Sequence, residues 1–426
     1  MIARLLKSAR LAGTTDVVVI GAGHAGLAAS YCLGEQGIDH VVLERGEVAN
    51  SWKNERWDSL KLLTPNWQTC LPGFSYCGDD PDGFMNMPEV VEFIEHYARF
   101  ADAPVRTHTR VTAVRRHRGG YRVVTNRGQW QAKAVIIASG ACNTSSVPKV
   151  AENIPARVRQ LTPHQYRGPQ DVPPGGVLVV GASATGLQLA DELQRAGHDV
   201  TIAAGEHVRM PRTYRGHDIQ FWMDRTRIMN ERYDEVDDIV RARGLPSPQL
   251  VGSREPGMLD LNYLQKGGAK VVGRLMGINN GTAQFSGSLR NVCALADLKL
   301  NRLLDGIDSW VLGNSVLCEA PERFDATQVD ASPSLTLKLD DGSIRTVIWA
   351  TGFRPDYSWL DVPVLDRKGR LQHEGGVVDA PGLYALGLPM MRRRKSSFMY
   401  GIEDDARDIT DHLVSFLDAA SVRPAA

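Results

Sequence analysis

The sequence is poor in the features that mark several whole classes of protein. No apolar run approaches the roughly 18 residues that a membrane span needs, so no bilayer-crossing segment is expected. Charge of one sign is not in excess. Lysine plus arginine and aspartate plus glutamate both number 49, which gives no reason to expect nucleic acid or an anionic membrane as partner. The six cysteines, Cys32, Cys70, Cys77, Cys142, Cys293 and Cys318, include no C-x-x-C pair and no zinc-ligand spacing. Dithiol redox chemistry and a metal site are therefore not expected. There is no H-E-x-x-H, and the 11 histidines do not cluster. Residues Met1 to Thr15, weakly basic through Arg4, Lys7 and Arg10, lack the apolar core and cleavage site of a signal peptide. They are read as a loosely docked leader, with a cytoplasmic location by default.

What is present points to a globular enzyme. The 426 residues suggest two or three domains, and 43% apolar with 23% charged residues fits a folded chain rather than a disordered one. Glycine is somewhat enriched at 41 residues, as tight loops passing close to phosphates would require.

The first informative stretch begins with the apolar run Asp16–Ile20, followed by Gly21-Ala22-Gly23-His24-Ala25-Gly26 and a helix-forming segment to about Gly34. A second apolar run from His40 ends in Glu44, 23 positions after Gly21. This is the G-x-G-x-x-G order of a dinucleotide-binding βαβ unit. Gly21 permits the tight turn, Gly23 lets the backbone approach a pyrophosphate, and Gly26 lets helix and strand pack closely. The helix N-terminus offers free N–H groups to the phosphates. Glu44 is placed to accept hydrogen bonds from the adenosine ribose. Glycines also mark ordinary turns, but here strand, helix, second strand and terminal acid all agree.

A second copy starts at Gly176, with Gly181-Ala182-Ser183-Ala184-Thr185-Gly186 as its loop. Ser183 replaces the middle glycine. Counting 23 positions from Gly181 reaches Ala204, so the ribose-binding acid is missing. Arg209, Arg212 and Arg215 follow, and an absent acid with nearby arginines suits the 2′-phosphate of NADPH. Glu206 weakens that choice and leaves NADH open, and a solvated loop would also account for the arginines. Thr185 stands where a G-x-S-x-G hydrolase would hold its last glycine, so a nucleophile elbow is not read here.

Between the loops, Pro88–Ala101 has a helical apolar face, and strand-like runs follow at Arg110–Arg115, Tyr121–Thr125 and Gln129–Ala138. Beyond the second loop, helical stretches near Gln220–Arg243 and Leu289–Val311 flank a hairpin expected at Lys270–Phe285. A β-run from Ile344 leads into Trp349-Ala350-Thr351-Gly352-Phe353.

Together these features resemble the FAD/NADPH-dependent flavin-containing monooxygenase family, the single-component group with two dinucleotide-binding domains. The resemblance runs from about Asp16 to Leu417. It rests on both glycine loops, Ser51-Trp52 with Arg56-Trp57-Asp58, Leu62-x-Thr64-Pro65, Phe84-Met85-Asn86, the Trp349–Phe353 run, and Arg392–Gly401 before a final helix. It implies an α/β fold of two doubly wound, Rossmann-like domains, the second inserted into the first. The FAD domain would comprise residues 1–150 and 346–426. The NAD(P)H domain would comprise 151–345, with a helical and hairpin insertion at about 205–330. It further implies that Arg45, Ser51, Trp52, Leu62, Thr64 and Met87 lie along the flavin, that Val111 offers backbone contacts to the adenine, and that Thr351 and Gly352 mark the return between domains. For Trp52 and Trp57, plain core packing is the competing reading. The helix beginning near Gly401 would point its N-terminus at the flavin pyrimidine.

The sequence departs from the family in two places. The fingerprint F-x-G-x-x-x-H-x-x-x-[WY] is degraded, with Thr162 where the histidine is expected and His164 two residues later. The oxygen-side asparagine of some members aligns with Met87, leaving Asn86 one residue before it as the candidate catalytic amide. Asn86 is equally suited to capping the helix that begins near Pro88. Both departures bear on oxygen insertion more than on FAD binding. The expected function is oxidation of a small organic substrate at nitrogen, sulfur or a carbonyl by O2 activated on FAD that NADPH has reduced. The alternatives are an FAD-dependent NAD(P)H oxidase or dehydrogenase without oxygen transfer, and a flavin-binding regulatory protein without turnover. Nothing in the sequence sets the oligomeric state or names the substrate.

Overall fold

The computed structural model describes residues 11–422. The first βαβ unit comprises β1 (Leu11–Ile20), α1 (His24–Glu35) and β2 (His40–Leu43). Val17, Val18 and Val19 are all fully buried, as a parallel strand covered on both faces demands. A short helix α2 (Asn50–Asn54) and the longer α3 (Met87–Phe100) follow, then β3 (Val105–Arg106) beside β2. An antiparallel meander of β4 (Val111–His117), β5 (Gly120–Thr125) and β6 (Gly128–Ile137) brings β6 alongside β1. Leu11–Thr15, expected to belong to a loose leader, are instead the first half of β1. They pair with Gln129–Ala132, and the Trp130 ring sits directly over Gly13, where a side chain would collide with it. The remainder of that expected leader lies outside the described residues.

The chain then enters a second sheet through β7 (Arg159–Leu161), β8 (Gly176–Val180), α4 (Ala184–Arg195) and β9 (Val200–Ala204). An insertion contributes α5 (Ile219–Arg225), α6 (Ile239–Arg243) and α7 (Leu261–Lys266). Next comes β10 (Lys270–Gly273), which pairs parallel to β9. A small antiparallel sheet of β11 (Leu275–Asn279), β12 (Thr282–Phe285) and a later strand, Thr336–Lys338, flanks the long α8 (Leu289–Asn314). With β13 (Ile344–Trp349) the second sheet is complete, in the order β7-β13-β8-β9-β10, all parallel.

Three expectations need correction here. The helix expected over Gln220–Arg243 is broken, because residues 229–233 pair their backbone with Arg392–Lys395 instead. Only Leu275–Phe285 forms the hairpin, turned by Asn280-Gly281 with both φ angles positive, while Lys270–Gly273 joins the parallel sheet. Thr346, placed with the first domain by sequence, lies inside β13 between β7 and β8. The chain returns at Thr351–Arg354, where Phe353 and Arg354 pair antiparallel with Ser145 and Thr144 of the outgoing crossover.

Back in the first sheet, a strand at Leu383–Ala385 pairs parallel to β6. The closing helix α9 (Ile402–Val422) packs against α1. The result is an α/β protein of two parallel-sheet units, the second interrupting the first. Among the described residues no helix is long and apolar enough to cross a membrane.

Candidate functional site

Both glycine loops are built by the same steric rules. Gly21 has φ +111° and Gly181 has φ +114°. A Cβ on either would run into the carbonyl of Ala138 or Ala350, at the end of the neighbouring strand or just beyond it. A Cβ on Gly26 would overlap the Gly21 carbonyl, and one on Gly186 would overlap that of Gly181. These contacts let α1 and α4 approach their strands closely. At Gly23 an added Cβ meets nothing within 4 Å. The space in front of the loop is open, and α1 begins there with no side-chain cap and no acid in its first turn. The same holds for α4, whose N-cap is Ser183 and whose second residue is Thr185.

The first loop fits an anionic dinucleotide. Its rim holds two buried polar atoms without partners, His24 Nε2 and Ser139 Oγ. Burial pushes the His24 imidazole down to about 4, so it is neutral at pH 7. Glu44 follows β2 and is itself buried. One of its oxygens accepts the Ala22 N–H and the other the Gly46 N–H, each at 2.9 Å. Each oxygen keeps acceptor capacity for a ribose hydroxyl. The Glu44 carbonyl accepts the Thr109 N–H at 2.7 Å, which brings the partly buried Val111, first residue of β4, to the same end of the sheet.

The other expected flavin-side residues converge from three segments. The Ala49 N–H donates to the Ala22 carbonyl at 3.1 Å and so ties α2, with Ser51 and Trp52, to the glycine loop. Arg45 is ion-paired with Glu55 just past α2. The Leu62 N–H donates to the Met85 carbonyl at 2.9 Å, and Lys61 bridges Asn86. Leu62, Thr64 and Met87 therefore lie on adjacent strands of backbone. Trp52 is half-buried beneath the Arg56 guanidinium, 5.4 Å from the ring centre. Trp57 is buried in the core of the second sheet, where it packs among apolar side chains.

Asn86 caps α3 in a complete capping box with Glu89. Its side-chain oxygen is thus committed to the helix end. His164 stands against the crossover ladder, its Nδ1 3.2 Å from Ser145 Oγ and its ring 5.0 Å from that of Phe353. Thr351 donates its hydroxyl to the Ser146 carbonyl, and the Gly352 carbonyl accepts the Ser146 N–H at 2.8 Å. Helix α9 carries Glu403, Asp404 and Asp405 in its first turn. Arg393 pairs with Asp405 at 2.6 Å and Lys395 with Asp404 at 3.0 Å, so two of these acids are held by cations of the preceding loop.

The structure overturns the assignment of Arg209 and Arg212 to a 2′-phosphate. Arg209 is 3% exposed and lies between Asp260 and Asp297, both at 2.5 Å. Arg212 is 1% exposed and pairs with Asp218 at 2.6 Å. It also donates to the carbonyls of Leu63 (2.9 Å) and Val251 (3.1 Å), above the Phe84 ring. Both guanidiniums are spoken for inside the protein. Arg215 likewise pairs with Asp308 at 2.7 Å.

A family model for pyridine nucleotide-disulphide oxidoreductases matches residues 18–226. The "uncharacterized oxidoreductase CzcO-like" protein of Geobacillus kaustophilus is 30% identical over 405 residues, covering 93% of this chain and 99% of that one. The chain belongs to the CzcO-like oxidoreductase family. The probable indole-3-pyruvate monooxygenase YUCCA10 of Arabidopsis thaliana is 29% identical over 207 residues, 46% of this chain and 53% of the relative. A flavin-containing monooxygenase from Stenotrophomonas maltophilia superposes with TM-score 0.67 at 20% identity, over 95% of this chain and 99% of the other, which shows a shared fold.

This CzcO-like chain also uses residues that sequence reasoning passed over. Gln249, fully buried in the insertion, donates its amide to the Ala182 carbonyl of the second glycine loop at 2.8 Å. Arg167 donates to the carbonyls of Asn54 and Arg56 at the end of α2. Such long-range contacts to backbone carbonyls leave no local pattern.

Proposed function

We propose that this CzcO-like oxidoreductase binds FAD at the first glycine loop and NADPH at the second, and that it oxidises a small organic substrate with O2 at nitrogen, sulfur or a carbonyl carbon. The observation that carries the reading is the pair of sterically equivalent glycine loops, only the first of which is followed by a carboxylate. Glu44 suits an unphosphorylated ribose, as in FAD. Ala204, its counterpart, has no charge to repel a 2′-phosphate. The likeness to proteins described as monooxygenases supports the oxygen chemistry.

A bound flavin would supply hydride acceptance and oxygen activation. The chain supplies position. Gly21–Gly26 and the α1 N-terminus would hold the pyrophosphate, Glu44 the ribose, and the Leu62–Thr64 and Met85–Met87 segments would border the ring system. Trp57, Arg167 and Arg212 tie the two sheet units together. A cytoplasmic location belongs to the same reading.

The test is to purify the protein, measure FAD per chain, reduce it with NADPH, and mix it with oxygen in a stopped-flow instrument. About one FAD per chain and an absorbance transient distinct from both oxidised and reduced flavin support an oxygenase. Direct return to oxidised flavin with stoichiometric hydrogen peroxide supports the second reading, an NAD(P)H oxidase or dehydrogenase. The degraded fingerprint, with Thr162 where the family holds its histidine, favours that alternative. A colourless protein that binds no FAD overturns both.

A further inference from the structure

With Arg209 and Arg212 buried in ion pairs, the cation that would meet a 2′-phosphate has to come from elsewhere, and sheet pairing shows where. In the first unit Ile20 pairs with Leu43, and Glu44 follows. In the second, Val180 pairs with Ala203, and Ala204 follows. Ala204 is thus the structural counterpart of Glu44. The correspondence extends one strand further. Leu43 pairs with Arg106 of β3, and Ala203 pairs with Val272 of β10. Two residues beyond these partners lie His108 and Arg274. In the first unit this region lies against the ribose acid: His108 donates to the Gly46 carbonyl and Thr109 to that of Glu44, both at 2.7 Å. Arg274 therefore occupies the adenosine-facing end of the nicotinamide unit.

Three further observations agree. Arg274 is exposed, and among the described residues its guanidinium has no ion-pair or hydrogen-bond partner. Its Cγ and Cδ lie 3.7 Å from the position a Cβ would take on Gly205, so its stem runs across the residue that follows β9. Glu206, the acid that could instead have served a 2′-hydroxyl, is engaged by Lys299 at 2.9 Å.

We propose that Arg274, reaching across from β10, recognises the 2′-phosphate of NADPH and sets the preference over NADH. This rests on the reading of the second loop as a nicotinamide-dinucleotide site. A guanidinium forks two N–H donors onto phosphate oxygens, and Gly205 keeps the approach clear.

The test uses adenosine 2′,5′-bisphosphate and 5′-AMP as probes, with their dissociation constants measured by calorimetry on the flavin-loaded protein and on R274A and R274K. The parent is expected to bind the bisphosphate more tightly. R274A should lose about tenfold or more of that affinity while 5′-AMP binding and melting temperature stay as in the parent. R274K should recover part of the loss. If the parent prefers the bisphosphate and R274A retains that preference, the role of Arg274 is overturned while the NADPH reading survives. If the parent binds the two probes equally, the NADPH reading itself fails and takes this proposal with it.

Discussion

The Asn86 side-chain oxygen accepts the Glu89 N–H at 3.0 Å, and the Glu89 carboxylate accepts the Asn86 N–H at 2.7 Å. Each residue satisfies an N–H that the start of α3 would otherwise leave unpaired. Pro88 adds a residue already fixed near helical φ. Asn86→Ala should therefore cost about 1 kcal/mol of stability and leave unchanged the hydrogen peroxide released per NADPH consumed. Thermal melting and a peroxide assay on one preparation decide the matter. A rise in peroxide yield with no change in melting temperature would instead give the amide a role in the oxygen chemistry.

Gly23 and Gly26 are three residues apart and should fail differently. A side chain at Gly23 points into open space, whereas one at Gly26 strikes the Gly21 carbonyl. Gly23→Val should fold with a stability within about 1 kcal/mol of the parent apoprotein, yet purify nearly free of FAD. Gly26→Val should damage the fold itself, because helix and strand must separate. Flavin absorbance and apoprotein melting temperature, measured on both variants, distinguish the two. Full flavin content in Gly23→Val would remove the first loop as the binding site.

The loops could be read from sequence because each glycine answers a steric demand set within a few residues of it. The α3 cap could be read for the same reason. The direction of the arginines could not. Arg209 finds its partners 51 and 88 residues away, at Asp260 and Asp297, and proximity to a strand end says nothing about which way a side chain turns. Arg274 lies 70 positions beyond Ala204 and reaches the same place only through the β9–β10 pairing. The break in the helix expected over Gln220–Arg243 has the same origin. Its periodicity is local, but the backbone of residues 229–233 pairs with a loop more than 150 residues later.

Arg209 gives a prediction opposite to the one its position in the sequence invites. Removing it leaves Asp260 and Asp297 facing each other without a cation, at 5% and 15% side-chain exposure. Breaking a buried pair in this way typically costs about 3–5 kcal/mol. Arg209→Ala should show a large drop in denaturant midpoint, and the folded fraction should keep the parent's ratio of kcat/KM for NADPH over NADH. A stable variant with that ratio collapsed would return Arg209 to the nucleotide site.

His373 sets an expectation for pH. Burial, with help from the Arg243 charge, pushes its imidazole from 6.5 down to about 4. Its Nδ1 accepts the Gly376 N–H at 3.2 Å, a bond only the unprotonated nitrogen can make. Above pH 6.5 both folded and unfolded chains hold the ring neutral, and it contributes no pH dependence. Between 6.5 and about 4 the unfolded chain takes up a proton that the folded chain refuses, so stability falls as the pH falls. The slope from one such group cannot exceed about 1.4 kcal/mol per pH unit. His24, depressed to about 4 by burial, acts in the same window. His373→Asn keeps an acceptor for Gly376 but cannot titrate, so it should remove one share of the slope and leave the other. Urea midpoints of parent and variant at equal flavin content, followed from pH 7.5 to 5, should converge at the alkaline end and separate toward acid in favour of the variant. Parallel curves over that range would show that His373 protonates as readily in the folded chain as in the unfolded one.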